Sequence, residues 1–336
     1  MVGTGKSDKP LVTVCITTFN RMDLLPYTIE SVIKQSYDNI EIIIVDDYSQ
    51  DGTSEVISEF MKRESRIKYI RQKNRKGLAA ARNSAIFDAT GKYFTFVDDD
   101  DLWEQDFVKE FTELAVGYGD DYVFCCGIKV PYRNGTEICF VPRFDAELVE
   151  HIRNGYVPPF SAQFYVTDEL KKIGGYTEAI KSGVDHDIWL KLAFNGYRIK
   201  SLDESLVMMN PIAKQNKNRM TTNWSKRSKG IEESLQIWRH DIERHLGEDF
   251  YRHFEKEYYY YLHRCFFEQN LKRIKLKPAL EFFLRCRSRN RLLIEEAKRT
   301  FRKIATYVKL RNNRQIRIEC GPSFRCFKSS ISKNKN

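Results

Sequence analysis

The sequence predicts an α/β protein: a doubly wound, mostly parallel sheet followed by a helical C-terminal extension. Three observations carry this expectation. Apolar, β-branched runs alternate with segments of helical spacing over the first 125 residues. These runs end in polar or acidic residues. Beyond about residue 230 the strand signals fade and long helical patterns replace them.

LVTVCIT (11–17) is a short apolar run of the kind found in strands buried on both faces. From Met22 to Gln35, Leu25, Ile29, Val32 and Ile33 recur at helical spacing. EIIIVDD (41–47) is a second buried strand, ending in two carboxylates. Asp51-Gly52-Thr53 punctuates the chain, and Val56, Ile57, Phe60 and Met61 mark a second helix. IKYIRQ (67–72), GLAAARNSAIFDA (77–89) and KYFTFV (92–97) read as strand, helix and strand. The resulting β-α-β-α-β-α-β order favours parallel strands joined by crossover helices. In such sheets ligands gather beyond the carboxyl ends of the strands. Asp46, Asp47 and Asp98 to Asp101 fall there, and Thr17 to Arg21 follow the first strand.

A helix over about 106–116 then leads into YVFCCGIKV, the hairpin signal Asn134-Gly135, and ICFV. SAQFYV (161–166) reads as a strand, and DHDIWLKLAFNG (185–196) as a helix stopped by Gly196. The boundaries drawn are a flexible N-terminus (1–9), a catalytic-type domain (10–225, divided at 105/106), a basic helical region (226–311) and a polar tail (312–336).

The net charge of +10 conceals a split. Residues 1–210 hold 25 Lys/Arg against 33 Asp/Glu, whereas residues 211–336 hold 31 against 13. Such asymmetry points either to a basic tail with an anionic partner or to a solvated helical surface. No run of eighteen apolar residues forecasts a membrane span, and MVGTGKSDKP lacks a signal-peptide core. The eight cysteines show neither CxxC pairs nor zinc spacing, which fits a reduced, cytoplasmic protein.

GTGKS (3–7) has neither the upstream glycine nor the flanking strand and helix of a phosphate loop. No GxGxxG follows the first strand, against a dinucleotide fold. The run FTFVDDDDLW (94–103) is the sharpest signal. It fails as an EF-hand, because no glycine occupies the sixth position. Either it splays into water, or a cation sits against it. Asp98-x-Asp100 places two carboxylates on one side of an extended segment, a ligand pair suited to Mg²⁺ or Mn²⁺. Asp99 then faces the other side, and Asp101 begins the loop toward Trp103.

Four motifs together resemble the family 2 glycosyltransferases. They are Thr17-Thr18-Phe19-Asn20-Arg21, Ile44-Val45-Asp46-Asp47-Tyr48-Ser49, Asn74-x-x-Gly77-x-x-x-Ala81-Arg82-Asn83 and Phe96-Val97-Asp98-Asp99-Asp100-Asp101. A looser similarity extends to about residue 210 through Ile173-Gly174-Gly175-Tyr176 and Asp185-His186-Asp187-Ile188-Trp189. The resemblance implies a GT-A fold, a nucleotide-sugar donor, most simply a UDP-sugar, and inversion. It implies that Thr17, Phe19 and Arg21 line the nucleoside pocket and that Asp47 accepts a uracil hydrogen bond. Arg82 lies by the nucleotide or braces the carboxylates. Asp98 and Asp99 lie near the donor, and Asp100 with Asp98 holds the metal on the diphosphate. Asp185 matches the catalytic base. Val184 departs from the family's Glu-Asp pair, Asp187 is close enough to compete, and a helix N-cap is the structural alternative for Asp185.

The processive members' QxxRW is absent, which favours addition of a single sugar to a glycan or lipid-linked glycan. From Lys272 to Leu310, 13 Lys/Arg accompany an apolar stripe of Leu293, Ala297, Phe301, Ile304, Ala305 and Val308. That stripe fits either peripheral contact with the inner face of an anionic membrane or packing on neighbouring helices. No nucleic-acid motif accompanies the charge, so no nucleic acid is expected. Two other classes compete: a noncatalytic nucleotide-sugar or glycan-binding protein, and a metal-dependent nucleotidyltransferase.

Overall fold

The computed structural model describes residues 9–131, 137–153, 160–209, 224–259 and 315–320. GTGKS, the Asn134-Gly135 turn, the stretch from Lys272 to Leu310 and all but three residues of the aromatic run 257–267 lie outside them.

The four forecast strands form as β1 (Val12–Thr18), β2 (Ile40–Asp46), β3 (Ile67–Arg71) and β4 (Tyr93–Asp98). They are parallel in the order β3-β2-β1-β4. Nearly every side chain of β1, β2 and β4 is buried, which is why their sequences run apolar without alternation. The register sets Thr17 beside both Val45 and Asp98, and Thr18 beside Asp46, so the three strands end level.

Helices α1 (Leu25–Ile33), α2 (Thr53–Arg63) and α3 (Leu78–Asp88) make the crossovers. Proline at the start of α1 removes an N–H that the first turn cannot use. α3 is alanine-rich and buries residues on most of its sides, Arg82 and Asn83 among them. Small side chains let it lie close to the sheet, and its polar residues are thereby directed into the protein.

Next come β5 (Asp101–Trp103), α4 (Phe107–Val116), β6 (Tyr122–Pro131), β7 (Glu137–Pro142), β8 (Asp145–Glu147) and α5 (Leu148–Arg153). A single 3-10 turn (Phe160–Ala162) precedes β9 (Gln163–Val166) and α6 (Thr167–Lys172). α7 (Val184–Phe194) and β10 (Arg198–Met209) complete this half. β9 runs antiparallel to β4 and β6, and β6 antiparallel to β7. β10 runs parallel to β6 and antiparallel to β5 and β8.

Trp103 anchors the chain just beyond the acidic run. Its ring stacks on Phe107 at 3.9 Å, Phe107 meets Phe111 at 4.7 Å, and Phe111 stacks on Phe164 at 5.2 Å. The indole N–H donates to the Ser161 carbonyl at 2.9 Å. Each such aromatic ring contributes about 1.5–3 kcal/mol through burial, so the exit of the acidic run is firmly held.

Residues 1–216 with 317–336 form one compact unit and 217–316 a second. In the second, α8 (Trp224–Leu246) buries Ile231, Leu235, Trp238 and Ile242 along one face. Within the stretch drawn as a polar tail, Gln315–Cys320 form β11, which lies beside β7 in the strand order.

Candidate active site

The level ends of β1, β2 and β4 gather the polar residues. Asp46 is spent on structure: its carboxylate accepts from the Ser49 N–H at 2.7 Å and the Tyr69 hydroxyl at 2.9 Å. Asp47 accepts from the Lys76 N–H at 2.8 Å and the Gly77 N–H at 3.0 Å, fixing the start of α3. Gly77 has φ +101°, a value that a side chain would oppose. Arg75 lies with its guanidinium carbon 3.8 Å over the Phe19 ring and Nε 3.8 Å from Asp47. Asn20, at φ +53°, donates its N–H to Ser49 Oγ at 2.9 Å and accepts from the Gln50 N–H at 2.8 Å, tying the first two loops together. Arg75 thus links Phe19 to Asp47, and Thr17 lies half-buried near the end of β1, beside Val45.

The acidic run divides among two arginines. Arg21 Nε lies 3.7 Å from Asp99 and Nη2 3.9 Å from Asp100. Arg82 Nη2 donates to Asp98 at 3.2 Å. Carboxylate oxygens of Asp98, Asp100 and Asp101 come within 4.8 Å of one another. Like charges about 5 Å apart repel by roughly 3 kcal/mol at an effective dielectric near 20. Desolvation, with Asp185 and Asp100 nearby and Arg82 opposing, pushes the Asp98 carboxyl up to about 6. Desolvation, opposed by Arg21, pushes Asp99 up to about 7. Hard oxygen donors held this closely suit a hard divalent cation and not the softer metals.

Asp101 enlarges the expected pair. Strict alternation fails because residues 99 and 100 form a turn between β4 and β5. The turn brings Asp101 round to Asp98 and Asp100, where Ser161 Oγ donates to it at 2.7 Å. Ser161 also accepts from the Asp98 N–H at 3.1 Å, and nothing in the sequence singles it out.

Arg82 joins the two halves of the site. It is 1% exposed, and Nη1 donates to Asp185 Oδ1 at 2.9 Å while Nη2 holds Asp98. Phe96 and Tyr176 flank its guanidinium at 5.6 and 5.5 Å. Of the two roles open to Arg82, these contacts are those of a brace between carboxylates. The N-cap alternative for Asp185 is corrected: Gly183 caps α7, no side chain caps it, and Asp185 reaches Arg82 instead. Asp185 remains 45% exposed, so its second face is open to a substrate. Asp187 is buried and accepts the Thr177 N–H at 2.6 Å. Val184 is itself a core position.

Residues 13–153 match the family described as Glycosyl transferase family 2. Over that stretch the chain is similar to the family 2 glycosyltransferases. Among its relatives, the Escherichia coli UDP-Glc:alpha-D-GlcNAc-diphosphoundecaprenol beta-1,3-glucosyltransferase WfaP is 44% identical over 93 residues, covering 28% of this chain and 36% of that protein. The GT-A fold is shared with solved structures. S. aureus TarS 1-349 in complex with UDP-GlcNAc gives a TM-score of 0.56 at 20% identity, covering 76% of this chain and 70% of that one. The mannosyltransferase PcManGT from Pyrobaculum calidifontis, in complex with GDP-Man and Mn²⁺, gives 0.56 at 18% identity, covering 90% and 81%. The chain spans 16% and 51% of the length of the first two curated relatives that it matches.

Proposed function

We propose that this family 2 domain transfers a single sugar, with inversion, from a UDP-sugar to a hydroxyl of a glycan or lipid-linked glycan. The observation that carries this reading is the shared guanidinium: Arg82 holds Asp185 at 2.9 Å and Asp98 at 3.2 Å. A proton acceptor is thereby fixed beside the carboxylates suited to a donor's metal. Thr17, Phe19 and Asp47, at the ends of β1 and β2, receive the nucleoside, with Phe19 beside the base. Arg21 neutralises Asp99 and Asp100 at its edge. Asp98, Asp100 and Asp101 would hold a divalent cation, which stabilises charge developing on the departing diphosphate.

Asp185 accepts the proton of the attacking hydroxyl, a contribution of typically about 10²–10⁴-fold. Arg82 keeps its carboxylate oriented, and the exposed face of Asp185 admits the acceptor. A single displacement needs one base and no covalent nucleophile, which gives inversion.

Three relatives support the substrate classes. The printed name of WfaP specifies UDP-Glc and a diphosphoundecaprenol-linked sugar, the TarS structure holds UDP-GlcNAc, and PcManGT holds GDP-Man with Mn²⁺. No helix among the described residues is long and apolar enough to cross a membrane. A lipid-linked acceptor would be reached at the inner face of the membrane, with the basic stretch from Lys272 to Leu310 supplying peripheral contact.

The test is a panel of UDP- and GDP-sugars with Mn²⁺ and lipid-diphosphate glycans. Transfer with release of nucleoside diphosphate is expected. Pyrophosphate release from a nucleoside triphosphate would indicate a nucleotidyltransferase, and donor binding without any turnover would indicate a binding protein.

A further inference from the structure

Asn83 stands in the middle of an alanine-rich helix, where asparagine costs about 0.5 kcal/mol relative to alanine. It is 6% exposed, and a buried carboxamide must be satisfied at both ends. Both ends are used on one residue. Nδ2 donates to the Tyr176 carbonyl at 2.9 Å, and Oδ1 accepts the Tyr176 N–H at 2.7 Å. The side chain pairs with backbone as a neighbouring strand would. Nδ2 also lies 3.2 Å from Glu178 Oε1.

The partner segment is shaped to receive it. α6 ends with Gly174 and Gly175 at positive φ, the Gly175 N–H returning to the Leu170 carbonyl at 2.9 Å. A Cβ on Gly175 would stand 2.5 Å from Asn83 Oδ1, and φ +59° adds strain to any side chain there. From this point the contacts continue into α7. Lys191 donates to the Gly175 carbonyl at 2.7 Å, and Asp187 accepts the Thr177 N–H at 2.6 Å. The first turn of α7 presents Asp185, which returns to Arg82, the neighbour of Asn83 on α3. The contacts therefore form a closed ring that begins and ends on two adjacent residues of one helix.

We propose that Asn83 is a positioning residue for Asp185: its paired hydrogen bonds to Tyr176 fix where α7 begins and hence where the base stands over Asp98. The inference rests on the reading of Asp185 as base. Arg82 alone fixes one oxygen of Asp185, while Asn83 fixes the backbone that carries it. Misplacing a catalytic group by an ångström costs about 10²-fold in rate.

Asn83→Asp keeps the shape and the acceptor but sets a carboxylate against the Tyr176 carbonyl. Gly175→Ala disturbs the same contact from the other side. Two readouts are needed: transfer kinetics with UDP-GlcNAc and Mn²⁺, and amide hydrogen exchange over residues 176–187. In both variants kcat is expected to fall about 10²-fold while the UDP-GlcNAc Kd stays within about twofold. Exchange should quicken in Tyr176, Thr177 and the first turn of α7, with β1 and β2 unchanged. Unchanged exchange at 176–187, or parallel loss of donor binding, would overturn the proposal. If the wild-type chain transfers no sugar, the function proposed above fails, and the exchange measurement still decides whether Asn83 holds this segment.

Discussion

The two halves of the domain hold their functional groups by different means. At the end of β2, Asp47 is fixed by the backbone N–H groups of Lys76 and Gly77, while the acidic run after β4 leans on Arg21, Arg82 and Ser161. In the later half, Asp185 is placed almost entirely by side chains, through Arg82 and through the Asn83–Tyr176 and Asp187–Thr177 bonds. Backbone fixation follows from the fold, whereas side-chain fixation depends on a few residues. The base should therefore be the more fragile element under mutation, and the Asp47 side of the donor site the more tolerant.

The sharpest way to break the comparison is Arg82→Met. It leaves Asp98 and Asp185 facing each other without their shared cation. Transfer should fall by about 10³-fold, and urea unfolding should show a loss of about 1–3 kcal/mol, less than for a fully buried pair because both carboxylates are partly open to water. Activity close to wild type would remove the link between the halves.

Trp103→Ala tests the fixation of the acidic run by packing. A loss of about 3–5 kcal/mol is expected in the same unfolding experiment, as for other large aromatic truncations. Asp100→Ala should weaken metal-dependent UDP-GlcNAc binding at least as much as the about 10–100-fold that losing an outer-shell partner costs. Binding that responds to Mn²⁺ as before would refute its role as ligand.

The smallest effect is on pH dependence. Asp98 is pushed up to about 6 and Asp99 to about 7. Between about pH 4 and 7 the metal-free folded protein thus binds more protons than the unfolded chain, and its stability falls as pH rises. Tm should decline modestly from pH 5 to 7.5 without metal. The gain on adding Mn²⁺ should grow over the same range, because the cation favours the ionised carboxylates. A metal-free Tm that climbs with pH would reverse the sign.

The same contrast governed what could be read from the sequence. β1 to β4 were legible because each apolar run is buried on both faces and ends at the site. β10 was not foreseen. Its Asp203 and Glu204 are exposed where the pairing with β6 loses register between Ser201 and Ser205, which interrupts any pattern. The approach of Asp101 to Asp98 and Asp100 arises from the turn at 99–100, which no alternation pattern encodes. Asp185 was visible through its motif, but its tie to Arg82 spans 103 positions, and no local periodicity encodes such a contact.

The most direct measurement compares Asp185→Asn with the unaltered chain in two assays, UDP-GlcNAc binding with Mn²⁺ and sugar transfer to a glycan acceptor. The account predicts a Kd within about twofold and transfer reduced by about 10²–10⁴-fold. Transfer at the unaltered rate, or loss of donor binding in step with transfer, would contradict it.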